Sequence, residues 1–452
     1  MDFKIPLKIS FNKLFYNLVI AIFSVIFLQQ VLVVNVGGSF KFYELFALII
    51  LFFFLLRGKN FYIYSKFSLL LFLFFIIATL PGTFKQYLML EELQGFYNHF
   101  PEAKGSLRFN MMIAPVIVYF YYIICWLVIN TIDGSRKVYD NKEKIIRLFV
   151  MVGTFTSIYA LYGFFFVRLL GFPDLVPDMV DNRNHRPDYE FRTSGFSSEA
   201  GDLAFMLSWV MIYLLYYKNL FSKRKTITLQ IINGVALLLT FSSNLLAFFL
   251  AVLISILVFD SLSKKIKVSV ILISLGLSAF LVLLNSGYYE LFRYVFYQKL
   301  VHLFEKPTQV SSTGSMRAYH IHMGLDLFKD NPLFGVGGGN SVFHLWKYDS
   351  LLSAQQDGVK SGLVKVIAET GIFGALCFYG FYIYYFIQIL IRRHLTNNPL
   401  IKIGFIGGCT TFLMLASLYP VYSIFLWVNI ALVLNELKFM KEKTNSLILE
   451  NA

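Results

Sequence analysis

The stretch Arg192-Thr-Ser-Gly195-Phe-Ser-Ser-Glu199 sets a guanidinium and a carboxylate a few residues apart, just where a long apolar run begins. Charge at the border of a membrane has no cheap structural use and marks a substrate site. An arginine donates two parallel hydrogen bonds from a planar fork and keeps its charge, which suits it to phosphate. The neighbouring carboxylate serves either as general base towards a hydroxyl or as the partner that orients the arginine. Upstream, Asp181 to Arg192 mixes both signs at high density and includes Arg183, His185 and Arg186; the plain reading of that loop is solvation.

A second polar segment carries Arg317 and ends in Asn331-Pro-Leu-Phe-Gly-Val-Gly-Gly-Gly-Asn340. Glycines let backbone N–H groups approach a phosphate. However, no lysine follows and no strand precedes, so this is not a P-loop, and a tight turn after Pro332 is the plainer reading. His320 and His322 stand at i and i+2 on different helix faces, a poor joint metal site, and no HExxH or CxxC pattern is present. No metal and no cofactor is expected, and the plainer role for both histidines is structural. Glu369 lies inside the apolar run that follows, in Val366-Ile-Ala-Glu369-Thr-Gly371-Ile-Phe-Gly374, and reads first as a polar contact between helices.

The elements that must hold these residues are membrane helices. Hydrophobic residues make up 57% of the 452, charged residues only 15%, and mean hydropathy is +0.65, far from the roughly one-quarter charged composition of soluble domains. A scan for runs of about 20 apolar residues predicts an all-α polytopic membrane protein of about 12 transmembrane helices. The runs fall near 15–35, 42–57, 67–84, 110–131, 146–168, 199–217, 227–241, 245–261, 268–285, 362–391, 401–418 and 420–436. No stretch between them is large enough to fold alone, so residues 1–452 read as a single membrane domain. The first run is long enough to span and has no small-residue cleavage site after it, so it reads as a retained helix. Cys125, Cys377 and Cys409 all sit in apolar runs, and no disulfide is expected.

Short connections alternate with long ones. The short set is basic: Arg57 to Lys66, Arg136 to Lys144, Lys218 to Lys225, Lys264 to Lys267, and Arg392 to Lys402, with Lys438 to Lys443 in the tail. The positive-inside rule makes these and both termini cytoplasmic. It also accounts for much of the net charge of +14 without any nucleic acid. The external side then carries three longer loops, about 85–109, 169–198 and 286–361, which together would form the active-site face. Within the last loop, which lies between helices 9 and 10, Thr313 to Lys329 reads as an amphipathic helix. Its apolar residues are Met316, Tyr319, Met323, Leu327 and Phe328, and Asn331-Pro332 stops it.

In three stretches the chain resembles the O-antigen polymerase (Wzy-type) and O-antigen ligase superfamily of bacterial envelope enzymes. Arg192 to Glu199 is similar to the family's Arg-x-x-Gly segment entering a helix. Arg317 followed by Pro332-Leu-Phe-Gly335-Val-Gly337 is similar to its arginine and Pro-x-x-Gly-x-Gly signature, and Glu369-Thr-Gly371 to its Glu-x-Gly segment. Order and spacing agree over roughly residues 150–390. Two departures stand out. Asp357 to Leu363 has no histidine where ligases usually carry one, and Asn244 occupies a turn where the family commonly has arginine. The first departure favours polymerase over ligase.

The resemblance implies a metal-independent, inverting glycosyltransferase of the cytoplasmic (inner) membrane, multi-pass, that takes a polyprenyl (undecaprenyl) pyrophosphate-linked oligosaccharide as donor in O-antigen, lipopolysaccharide or capsule synthesis. Arg192 and Arg317 would clamp the pyrophosphate with Arg186 as helper, and Glu199 would be the base or orienting group with His320 behind it. Membrane lipid and a chain-length regulator are the implied partners, with other polysaccharide-assembly proteins. Two rivals remain: a ligase that differs only in its acceptor, and a flippase for the same lipid-linked glycans. The flippase fits less well because the charges gather in external loops and no inverted repeat is visible.

Overall fold

The computed structural model describes residues 11–28, 33–35, 39–56, 65–77, 79–106, 109–173, 175, 196, 200–217, 219–240, 242, 244–260, 313–349, 358–393, 398–416 and 424–450. They are helical almost throughout, apart from a small antiparallel hairpin of Val33–Asn35 with Ser39–Lys41 and a few turns. We number the principal helices α1 (Phe11–Val25), α2 (Phe42–Leu56), α3 (Lys66–Phe72), α4 (Leu80–Leu88), α5 (Ile113–Gly134), α6 (Lys142–Tyr162), α7 (Ala200–Tyr216), α8 (Lys223–Leu239), α9 (Asn244–Phe259), α10 (Thr313–Asp330), α11 (Gly362–Ile391), α12 (Pro399–Met414) and α13 (Ile424–Glu450). Every expected span overlaps one of these except that at 268–285, which lies outside the described residues; the first, expected at 15–35, is helical only to Val25, and its end at Val33–Asn35 is a strand of the hairpin. Among the described residues four segments are long and apolar enough to cross a membrane: Lys66–Leu88, Ile113–Gly134, Lys142–Val167 and Gly362–Ile391.

The expected span 67–84 proves to be composite. α3 runs into a π-helical turn, Leu73–Ile77, and resumes as α4 with Pro81 in its first turn, where a missing N–H does least harm. The connection expected at 85–109 is itself largely helical, with short helices at Leu90–Leu93 and Gly95–His99. They bury Leu93 and Phe96 against Phe343 in a small apolar cluster of their own.

The main core is aromatic and contacts are close. The six-membered ring of Trp209 on α7 comes up against Gly407 of α12, where any side chain would strike the indole, and its Nε1 donates to Thr411 Oγ1 at 3.3 Å. Small residues at helix contacts are what allow such approach inside a membrane. α6 and α8 are joined by Asn233, whose amide donates to Thr154 Oγ1 at 2.8 Å and accepts from Ser157 Oγ at 2.8 Å. At one end of the bundle Asn435 of α13 donates to the carbonyls of Ile132, Asp133 and Ser135, closing the C-terminus of α5. The same end carries the Lys142–Glu436 and Lys402–Asp260 pairs, so several of the short basic connections do share one face.

The opposite end carries α10. Its Tyr319, Met323 and Leu327 are fully buried with Val336, Leu345, Val359 and Ala368, while Met316 and Phe328 are half-buried. The amphipathic helix therefore lies down on the first turns of α11. Gly407→Val should lower stability by about 1–3 kcal/mol through overpacking against Trp209, read as a fall in the thermal midpoint of the purified protein in detergent. An unchanged midpoint would mean that α7 and α12 are not in this contact.

Candidate functional site

The centre of this end is a break in α11. Gly371 has φ 62° and ψ −163° inside an otherwise regular 30-residue helix. Such a break removes intrahelical partners, and backbone groups at membrane depth must find others within the protein. The loop after α10 supplies them. Val336 N and Gly337 N donate to the carbonyls of Ala368 and Glu369 at 3.2 and 2.7 Å, while Ile372 N and Phe373 N donate to those of Pro332 and Leu333 at 2.8 and 3.3 Å. The loop is thus laced to both sides of the break. Gly335 and Gly337 take positive φ, 64° and 93°, and a side chain on either would collide with the backbone of Glu369 or with Thr83. The tight turn expected after Pro332 is present, and it is built against α11.

Glu369 completes the attachment. Its carboxylate is buried and accepts from Gly339 N at 2.8 Å and from Ser341 Oγ at 2.6 Å. The ammonium of Lys365, also buried, lies 3.4 Å away one turn earlier on the same helix. Glu369 was expected to bridge helices; it holds the glycine loop instead. On the far side of the loop Asn340 Nδ2 donates to Val336 O at 2.9 Å and reaches Thr83 Oγ1 of α4 at 3.4 Å, and Thr83 pairs with Tyr119 of α5. α4, α5, α10 and α11 therefore meet around one loop.

The candidate residues distribute as follows. Arg317 lies on the first turns of α10, half-buried and without an ion pair among the described residues. His320, one turn on, is fully buried, with Nδ1 3.3 Å from Gly358 O. An imidazole thus stands beside the 357–363 stretch that lacks a histidine of its own. Arg186, Arg192 and Glu199 lie outside the described residues. Phe196, between the last two, is buried and stacks on Tyr159 of α6 with ring centroids 4.0 Å apart. Asn244, which replaces the family's arginine, is buried at the start of α9 and donates to Gly201 O at 3.1 Å.

Sequence reading passed by Lys365, Ser341 and Thr83. The i,i+4 spacing of Lys365 and Glu369 was a usable signal; Ser341 and Thr83 carry none, because their partners are distant in the chain. His344 belongs to no motif in the sequence. It is buried against Gln86 Oε1 at 3.3 Å, and burial, with the charges of Lys347 and Lys85, pushes its pKa down to about 3.

With this geometry in place, comparison with known proteins is informative. Residues 228–379 match the family model described as O-antigen ligase, and these residues contain α10, the glycine loop and the break in α11. The match takes in the second and third motifs, but not Arg192 to Glu199, and supports the O-antigen ligase and polymerase superfamily. The chain is also 27% identical over 263 residues to the teichuronic acid biosynthesis protein TuaE of Bacillus subtilis (strain 168). That alignment covers 55% of this chain and 52% of TuaE, so the chain spans about half the length of this curated relative.

Two outcomes follow. Glu369→Ala removes the acceptor for Gly339 and Ser341 and takes from the buried Lys365 the carboxylate 3.4 Å away, and should cost about 3–5 kcal/mol. Lys365→Met should cost less, because Glu369 keeps its other donors; thermal unfolding with limited proteolysis between residues 331 and 341 would show the order. His344 stays neutral when folded, whereas the unfolded chain takes up a proton below its ordinary pKa of 6.5. Its contribution is therefore complete above pH 6.5 and declines as pH falls towards 3. By pH 5 about 2 kcal/mol should be lost, and His344→Gln should flatten the thermal midpoint against pH over that range.

Proposed function

We propose that the protein polymerises lipid-pyrophosphate-linked oligosaccharide repeat units into surface polysaccharide at the outer face of the cytoplasmic membrane. The observation that carries this reading is that Arg317, the glycine loop and the Glu369–Gly371 break form one packed unit inside the segment matched to the O-antigen ligase family.

A glycosyl pyrophosphate is already activated, so no nucleotide is required. A hydroxyl oxygen of the acceptor glycan forms a bond to the anomeric carbon as the bond from that carbon to the pyrophosphate oxygen breaks. The hydroxyl proton passes to a base, with Glu199 as the candidate, and the negative charge develops on the departing pyrophosphate. Fixed cations aimed at that charge are the main means of catalysis open to the protein. Arg317 and Arg192 fill that role, with Arg186 as helper. His320 stands behind, against Gly358. Attack in line from the opposite face inverts the anomeric centre.

Glycan ligation is the second reading, favoured by the description of the matched family. The reactions differ in what supplies the hydroxyl. The stretch 357–363 carries no histidine of its own, which weighs towards polymerisation.

In cells lacking the gene, single repeat units should still reach the surface while the ladder of longer chains disappears. Long chains accumulating on the carrier lipid would instead establish ligation. Arg317→Ala should reduce long chains by roughly a hundredfold, and Arg317→Lys should restore only part, since it returns the charge without the fork. Wild-type ladders from Arg317→Ala would remove Arg317 from the mechanism.

A further inference from the structure

Each addition in a polymerisation of this kind joins two units that both arrive on lipid carriers, so a polymerase needs a second seat for a lipid pyrophosphate besides the arginine clamp. The C-terminal turns of α4 have the chemistry for it. Lys85 is exposed there, and its ammonium is held by Asn331 Oδ1 at 2.8 Å, at the start of the glycine loop. Lys347 is exposed on the turn after His344, and both ammonium groups act on that buried imidazole, which lies against Gln86. Among the described residues neither lysine has an acidic partner. The Nε2 of Gln86, buried next to Lys85, finds no hydrogen-bond acceptor among them either. Two ammonium groups without a carboxylate, beside an amide N–H that lacks an acceptor, suit an anion.

Beside them runs an apolar strip. Leu80, Phe84 and Leu88 follow one another at i, i+4 and i+8 along α4 and are 49%, 66% and 73% exposed. The opposite face of α4 packs on the loop through Gly82, which touches the backbone of Phe334 and Gly337. Leu333 and Phe334 on that loop are themselves exposed, and Phe334 stacks on Phe373 just past the break in α11, with ring centroids 5.0 Å apart. The strip therefore passes from α4 over the loop to α11, with the two lysines at its head. A long isoprenoid chain ending in pyrophosphate has the matching layout, an extended apolar tail under a head of concentrated negative charge.

We infer that Lys85 and Lys347 seat the pyrophosphate of a polyprenyl lipid, the carrier of one of the two joined units, whose chain lies along Leu80, Phe84, Leu88, Leu333 and Phe334. This inference rests on the polymerase reading. Two cations in such a setting each contribute appreciably to holding an anionic lipid, and the acceptor end of its glycan would then project over the loop towards Arg317.

The test uses the full-length protein in nanodiscs with a photoactivatable polyprenyl pyrophosphate, in the presence of excess phosphatidylglycerol. Labelling should concentrate in peptides covering 80–88 and 331–334, and Lys85→Gln with Lys347→Gln should weaken that labelling roughly ten- to thirtyfold. Labelling that phosphatidylglycerol abolishes, or that spreads over all lipid-facing helices, would show ordinary bilayer contact and overturn the site. Specific labelling confined to other segments would overturn the site and leave the polymerase reading standing. No specific labelling anywhere would overturn both. Arg317→Ala, which retains both lysines, should keep the labelling at 80–88 while losing polymer.

Discussion

The structure turns on a backbone break that had to be mended. At Gly371 a long apolar helix stops and restarts, which frees peptide groups where water is scarce. The mending comes from a loop some thirty residues earlier, through Val336, Gly337, Ile372 and Phe373, and Glu369 locks it by accepting from Gly339 and Ser341. Only a chain of glycines comes near enough to do this, because side chains at Gly335 and Gly337 would occupy the space of the Glu369 backbone and of Thr83. The cluster of α4, α5, α10 and α11 follows from that contact, since each element packs on the loop or on what the loop holds.

This arrangement separates rigidity from reactivity. Glu369 and Lys365 are buried and engaged with each other, so their charges serve the scaffold. Arg317, half-buried on α10, carries its charge without a carboxylate among the described residues. Three buried apolar residues of α10, Tyr319, Met323 and Leu327, set the angle at which it lies on α11 and so the place from which the guanidinium reaches. A phosphate-binding arginine is useful only if held in register, and a laced loop beneath a packed helix is a stiff mount.

How much of this was legible in the sequence depends on the range of the interaction. Apolar run length was enough for the helices, and the 3.6-residue period was enough for α10. Run length misplaced the end of the third span, expected at 84. Lys85 and Gln86 interrupt the apolar run near residue 84, yet the helix continues to Leu88 because Gly82, Thr83 and Gln86 face protein. The glycines after Pro332 were readable as a turn, since positive φ favours glycine. What the turn is built against was not readable, because the partners of Glu369 lie 28 and 30 residues away in a stretch without periodicity. The approach of His320 to Gly358 is of the same kind. Arg186, Arg192 and Glu199 remain expectations of the sequence and of the family resemblance, outside the described residues.

The most direct test of the account is a reconstitution with one substrate. The purified protein in liposomes would receive a single defined polyprenyl-pyrophosphate-linked repeat unit and no other glycan, and products would be read by mass spectrometry. The account predicts dimers and longer chains, with one free polyprenyl pyrophosphate released for each linkage formed. Repeat units that stay single, with no pyrophosphate lipid released, would contradict it.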